Sequence, residues 1–143
     1  ECIESGDLDK NHLARTYRNL GINFKRKAVA YQNSTNSSFF YQESLRYYDK
    51  IIKMNREDVY MDYVNKGNTY SEMESYTKAF EQYNKALKVY PNYNEAHYNK
   101  GIVYEKLGDI ENAKKEFILA YKNGLRTNKL FNRFTVHNIE EIN

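Results

Sequence analysis

The histidine, cysteine and paired acidic residues are the side chains of this sequence that could support metal binding or nucleophilic catalysis. A zinc site or a catalytic triad needs several such groups at short, defined spacings or close together in the fold. The histidines and the single cysteine are instead scattered along the chain, at Cys2, His12, His97 and His137. The acidic pairs Glu57-Asp58 and Glu140-Glu141 are typical of solvated helix ends. We therefore expect no catalytic residue, no metal site and no cofactor.

Composition favours a single helical domain. The chain has 143 residues, of which 41% are hydrophobic and 29% charged, so it can bury a core. One Pro and six Gly are too few for an all-β fold, which must turn often. A lone cysteine excludes an internal disulfide framework. No apolar run reaches the roughly 18–20 residues that a membrane span needs.

Basic residues are concentrated in the first part of the chain, although the formal net charge is only +3. No acidic residue occurs between Lys10 and Gln42. The helical spacing of Arg15, Arg18 and Lys25 places them on one side of a helix. Three interpretations stay open: a solvated face, a surface for an acidic protein segment, or a site for RNA or another polyanion. The basic residues of this run are Lys10, Arg15, Arg18, Lys25, Arg26 and Lys27.

An internal repeat in the second half of the sequence indicates a helical repeat architecture. Asn65-Lys66-Gly67 aligns with Asn99-Lys100-Gly101, and the small and aromatic residues that follow align at the same offset. Within each copy these residues recur at steps of three and four, which places them on one helix face. Each copy therefore predicts two helices, with a glycine that lets them approach closely.

A looser copy lies upstream and contains an insertion. The interval from Phe24 to Ser44 is longer than the corresponding interval from Tyr70 to Ala79, and the excess is the inserted segment. An apolar stripe over residues 11–32 predicts that part of the insertion extends the first helix. The remainder, residues 33–38, is polar and predicts a loop.

Residues at the helix ends fit the same division. Asn94 and Asp109 are candidate N-caps, and Pro91 predicts the end of a helix near Tyr90. Gly108 and Gly124 suit left-handed C-terminal positions. The turn at Glu74-Ser75 lacks such a glycine, so we expect strain there.

These motifs resemble the tetratricopeptide repeat family. Residues 59–93 and 94–127 match its pattern, and residues 11–58 form a degenerate copy with the insertion at 33–38. Lys66 and His97 stand where the family favours Leu and a bulky residue, and Leu125 replaces the closing Pro. The residues at the family's packing positions are Tyr17, Gly21, Phe24, Tyr63, Gly67, Tyr70, Ala79, Tyr83, Ala86, Pro91, Gly101, Tyr104, Ala113, Phe117 and Ala120.

The resemblance implies an all-α, right-handed solenoid of antiparallel helix pairs, with residues 128–143 as a C-terminal capping helix. A dimerisation or docking surface at the C-terminus is the alternative to the cap. The resemblance also implies that first helices line a concave groove for a peptide or partner helix. The groove residues it indicates here are Arg15, Arg18, Asn19, Ile22, Lys25, Asn65, Asn68, Glu72, Tyr98, Asn99 and Ile102.

Some members of this family clamp the C-terminal carboxylates of chaperones with Lys, Arg and Asn. Arg18 and Asn65 fit that pattern, but Ile22, Glu95 and Asn99 depart from it. A glutamate in place of a cation repels a carboxylate. We therefore expect weak binding of chaperone tails.

The sequence as a whole predicts a non-catalytic protein-interaction module or scaffold whose groove binds a peptide or helix, favouring an acidic segment. A polyanion or RNA adaptor and a self-assembling homodimer are the alternatives. Residues 1–10 resemble the end of a preceding repeat and a linker, which suggests a fragment of a longer protein. The compartment stays open between the cytoplasm and an exported location.

Overall fold

The computed structural model describes residues 5–140, and these residues form seven α-helices and no strand. Three helix pairs follow one another along the chain, and a shorter helix comes last. The helices are α1 (Ser5–Ala30), α2 (Asn36–Ile52), α3 (Val59–Glu72), α4 (Tyr76–Val89), α5 (Asn94–Lys106), α6 (Ile110–Lys122) and α7 (Asn128–Val136). The expected all-α solenoid is confirmed.

A glycine on the first helix of each pair determines how closely the second helix approaches. At Gly67 an added methyl group would lie 2.5 Å from Cε1 of Tyr83, so only glycine leaves room for the ring. Tyr83 is 1% exposed and therefore fills the space between α3 and α4. The three equivalent pairs are Gly21 with Tyr48, Gly67 with Tyr83, and Gly101 with Phe117.

The stacking of successive pairs gives the molecule its curvature. Each second helix packs against the first helix of the next pair, and consecutive first helices also contact one another, α1 with α3 and α3 with α5. No comparable contact joins α2 to α4 or α4 to α6 among the described residues. The first helices therefore line the inner, concave side, and the second helices form the outer side.

The C-terminal helix α7 covers the last repeat. Leu130 and Phe134 are 0% and 5% exposed, and they pack with Ala113, Phe117 and Ala120 of α6 in one apolar cluster. The Thr127 side chain caps α7 by accepting a hydrogen bond from the backbone N–H of Leu130. This burial is what a solenoid needs at its end, where no further repeat follows in the described chain.

The insertion is more helical than the sequence predicts. Residues 33–35 lie outside helices, but α2 already begins at Asn36, so the predicted loop at residues 36–38 is wrong. Ser37 is buried, and its hydroxyl donates to the carbonyl of Ala28 at 3.1 Å. This hydrogen bond satisfies the buried Ser37 hydroxyl. From its residue type alone, Ser37 is expected in a solvated loop.

Helix ends agree with the sequence at most positions. Asp109 caps α6 by accepting from the backbone N–H of Asn112, and Gly108 and Gly124 have φ of 78° and 95°. Glu74 has φ of 57°, which confirms the expected strain. Asn94 is not an N-cap, because α5 begins at this residue and its side-chain amide donates to the carbonyl of Asn123.

The predicted linker before the first repeat is also wrong where the structure describes it. Residues 5–10 belong to α1, which runs without interruption to Ala30. The remaining part of that prediction, residues 1–4, lies outside the described residues, and so do residues 141–143 of the predicted cap.

Candidate functional site

A cavity of about 310 Å³ opens on the concave side, where the first helices meet. It receives side chains from all three repeats and from α7, so no single helix forms it. Most of its lining is polar. The lining residues are Lys25, Asn68, Ser71, Glu72, Tyr83, Asn99, Ile102, Lys106 and Lys129.

Three lysines give this cavity its cationic character. Lys25 comes from α1, Lys106 from α5 and Lys129 from α7. Burial lowers the pKa of Lys25, the nearby Glu72 carboxylate opposes that change, and the charge of Arg26 adds to it. A partly desolvated ammonium gains most when an anion approaches, because it has already lost hydration.

Amide side chains complete the polar lining. Asn68 Oδ1 accepts a hydrogen bond of 2.7 Å from the Tyr83 hydroxyl, so that amide is held in one orientation. Asn99 lines the cavity from the next first helix. An amide offers both a donor and acceptors, which suits the backbone of an extended peptide.

Arg18 lies on the predicted helix face, but its guanidinium is bound by carboxylates of the protein itself. Its guanidinium donates two hydrogen bonds of 2.7 Å to the Asp62 carboxylate and a third of 3.2 Å to Asp58. These contacts raise the pKa of Arg18, with the Asp62 hydrogen bond as the largest cause. The charge of Arg18 is therefore already paired within the protein, and its predicted role in partner binding stays a prediction.

The other predicted groove residues divide into two groups. Lys25, Asn68, Glu72, Asn99 and Ile102 line the cavity, so the structure brings five of them together. The remaining ones lie away from it: Arg15 and Asn19 are exposed, Ile22 packs beside Ala14 and Tyr48, Tyr98 contacts Phe117, and Asn65 is half-buried.

Lys106 and Lys129 were missed by the sequence interpretation. Lys106 is the last residue of α5, one turn beyond the predicted groove positions. Lys129 lies in α7, for which the sequence predicts a cap or, as the alternative, a dimerisation or docking surface. Lys106 could have been predicted, because its helical spacing from Ile102 places it on the same helix face. Lys129 could not, because its approach to the cavity depends on how α7 folds back.

Two of the three histidines are held by carboxylates. His97 Nδ1 lies 2.7 Å from Glu116 Oε2, and His137 Nε2 lies 2.9 Å from Glu105 Oε1. Within residues 5–140, no three His, Cys, Asp or Glu side chains are grouped as a metal site would require. No helix in this part of the chain has the length and apolar character needed to cross a membrane.

Family models match the second and third repeats. A model described as "TPR repeat" matches residues 67–108, and one described as "Tetratricopeptide repeat" matches residues 95–122. This part of the chain carries tetratricopeptide repeats. Among curated proteins, no match to this sequence is found.

Solved tetratricopeptide repeat structures share the fold of this chain. The TPR2B domain of yeast Sti1, in a complex titled with pHsp70, has a TM-score of 0.69 at 17% identity, covering 89% of this chain and 97% of that one. The first TPR of Spaghetti (RPAP3) bound to the HSP90 peptide SRMEEVD has a TM-score of 0.62 at 17% identity, covering 85% and 92%. The Arabidopsis OM64 TPR domain gives 0.63 at 16% identity, covering 85% and 97%. At these identities the similarity establishes the fold alone.

Proposed function

We propose that this tetratricopeptide repeat chain is a non-catalytic protein-interaction module whose concave cavity binds an extended acidic peptide. The observation that carries the proposal is the convergence of Lys25, Lys106 and Lys129 from three different helices on one cavity. Glu72 is the acidic residue in the lining, so the cations outnumber it. A carboxylate of the peptide would replace the hydration that Lys25 has partly lost.

The shape and the amides of the cavity support a peptide over a rigid ligand. Its lining extends from α1 to α7 across the concave side, which suits an extended chain. Asn68 and Asn99 can pair with peptide backbone groups whatever the peptide sequence. Ile102 offers one apolar contact beside them. Two of the solved relatives have titles that name a bound chaperone or chaperone peptide, which supports peptide binding as the use of this surface.

The test is selection from a phage-displayed library of random linear peptides, followed by affinity measurements on the selected sequences. We expect enrichment of Asp and Glu. The variant Lys25→Gln/Lys106→Gln should weaken binding by at least about tenfold, because each lysine loses a charge-assisted contact. The matched control is Lys85→Gln/Lys88→Gln, which removes the same charge from exposed positions of α4 and should leave the affinity unchanged.

Other outcomes would show that the proposal is wrong. Selected peptides without acidic residues, or binding that survives Lys25→Gln/Lys106→Gln, would exclude the cavity as an acidic-peptide site. Binding of poly(U) RNA that falls steeply with salt, with no peptide selected, would favour the polyanion alternative. The peptide SRMEEVD is included as a probe and is expected to bind more weakly than the selected peptides.

A further inference from the structure

The first helix pair carries a stripe of aromatic rings, which we call the aromatic stripe. Its rings contact one another in sequence: Tyr17 with Tyr47 at 5.7 Å between centroids, Tyr47 with Phe24 at 5.7 Å, Phe24 with Phe40 at 6.3 Å, and Phe40 with both Tyr31 and Phe39 at 5.8 and 5.7 Å. At its end Tyr31 and Phe39 are 54% and 58% exposed. Exposed apolar groups in such a contiguous row indicate an interaction surface.

In the later repeats, the equivalent face of the first helix is covered by the preceding second helix. Tyr104 of α5, equivalent to Phe24, lies 4.6 Å from Phe80 of α4 between ring centroids. Lys66 of α3, equivalent to Leu20, forms an ion pair of 2.6 Å with Asp49 of α2. No helix of residues 5–140 covers α1 in this way. The α1 residues of the aromatic stripe therefore lie on the face that, in α3 and α5, packs against the preceding helix.

The charges beside the aromatic stripe indicate the chemistry of that helix. The ammonium of Lys27 lies 5.7 Å from the Phe24 ring centroid, and that of Lys50 lies 5.2 Å from the Tyr17 ring centroid. Neither lysine forms an ion pair in the described part of the chain, whereas Lys66 forms one with the preceding helix. A cavity of about 380 Å³ beside Leu20 and Phe24 is also flanked by Lys27. A covering helix would place Asp or Glu residues opposite these cations.

We propose that the aromatic stripe binds an amphipathic helix of a partner protein, with its apolar side on the rings and flanking Asp or Glu residues opposite Lys27 and Lys50. This surface lies on α1 and α2, so the proposal is independent of the peptide cavity and of the proposed function. A second copy of this chain fits less well, because self-association would bring like charges together around the rings.

The experiment uses a yeast-displayed library of helical peptides. An apolar stripe is fixed in every member, and the flanking positions vary among Asp, Glu, Lys, Gln and Ser. We expect enrichment of Asp and Glu at the flanks, and binding that weakens at least about tenfold with Lys27→Glu/Lys50→Glu. Lys115→Glu/Lys122→Glu, on exposed positions of α6, is the matched control, and Lys25→Gln/Lys106→Gln in the peptide cavity should also leave binding unchanged.

A second variant, Phe39→Ser, removes an exposed ring without adding charge and should also weaken binding of the selected helices. Enrichment of Lys at the flanks, no enriched helix, or binding unaffected by both Lys27→Glu/Lys50→Glu and Phe39→Ser would overturn the proposal. A dimer in sedimentation equilibrium that Phe39→Ser dissociates would show that a second copy occupies the stripe instead. Sedimentation with phosphatidylglycerol vesicles, lost in Phe39→Ser, would identify a membrane surface and also overturn it.

Discussion

The guanidinium of Arg18 forms a bidentate ion pair with the carboxylate of Asp62, with both hydrogen bonds at 2.7 Å. The pair joins α1 to α3, two helices from different repeats. The Asp62 side chain is 0% exposed and that of Arg18 is 18% exposed, so water barely reaches the contact. Burial raises the pKa of Asp62, and the hydrogen bonds from Arg18 oppose that change. The arginine therefore orders the interface between the first two repeats.

Replacement of Arg18 should strongly destabilise the protein. Arg18→Ala leaves the buried Asp62 carboxylate without its bidentate donor, which costs about 3–5 kcal/mol of unfolding free energy. Urea denaturation followed by far-ultraviolet circular dichroism measures this. Arg18→Met/Asp62→Leu replaces both charges by apolar groups and should recover most of the loss.

The control for Arg18 is its neighbour Arg15. Arg15 is exposed on the same helix, so Arg15→Ala should change the unfolding free energy by less than about 0.5 kcal/mol. Equal effects of Arg15→Ala and Arg18→Ala would show that helix propensity, and not the ion pair, is responsible.

The sequence predicted the helix face of Arg18 but not its role. Helical periodicity places a residue on a face, and Lys25 and Asn68 from the predicted face do line the cavity. Periodicity says nothing about a charge 44 residues away, which is how far Asp62 lies from Arg18 along the chain. Lys129 was missed for a similar reason, because its position depends on the direction in which α7 folds back.

The fold was more predictable, because close packing restricts residue types at fixed spacings. The spacing of the glycines and aromatic residues in each repeat predicts a helix pair, and Gly67 and Tyr83 do make that contact. The insertion was less predictable. Burial of Ser37 depends on one tertiary hydrogen bond to Ala28, and a polar residue type alone favours a loop.

The glycine contact can be tested by a single methyl group. Gly67→Ala would place Cβ 2.5 Å from the Tyr83 ring, which cannot easily move because it is buried and hydrogen-bonded to Asn68. We expect a destabilisation of about 1–3 kcal/mol, although alanine is the better helix former. Chemical denaturation gives the value.

Gly6→Ala is the matched control for Gly67→Ala. Gly6 lies in α1 with nothing within 4 Å of an added methyl group, so the substitution should stabilise slightly, by up to about 1 kcal/mol. If Gly67→Ala also stabilised the protein, the close approach of α3 and α4 would not be a packing constraint.

The ion pairs of Glu116 predict a pH-dependent contribution to stability. Burial acts to raise the pKa of Glu116, but hydrogen bonds with His97 and Lys100 outweigh it and hold the pKa below its ordinary value. A carboxyl group whose pKa is lower in the folded state than in the unfolded state stabilises the fold at pH values above its unfolded-state pKa. This stabilisation is lost as the pH falls through its folded-state pKa. Glu116→Gln should therefore cost about 1–3 kcal/mol near neutral pH and progressively less in acid.

Denaturation of the wild type and Glu116→Gln over a pH series checks this dependence. Glu111→Gln serves as the control, because Glu111 is 81% exposed and its contact with Lys114 is 3.7 Å long. Its effect should stay within about 0.5 kcal/mol at every pH. If Glu116→Gln lowered the unfolding free energy by the same amount at neutral and at acidic pH, the stabilisation by Glu116 would not be ionic.

The turn after α3 offers a stabilising substitution. Glu74 has φ of 57°, whereas Gly108, its equivalent in the next repeat, has φ of 78° in the same kind of turn. A glutamate in this region has a steric cost that glycine does not, so Glu74→Gly should raise the unfolding free energy by about 0.5–1 kcal/mol. The reciprocal change, Gly108→Glu, should lower it by a similar amount. Asn55→Gly is the comparison, because Asn55 has φ of 51° but asparagine tolerates this conformation, so its effect should be smaller. Equal gains from Glu74→Gly and Asn55→Gly in urea denaturation would show that residue-specific strain is not the cause.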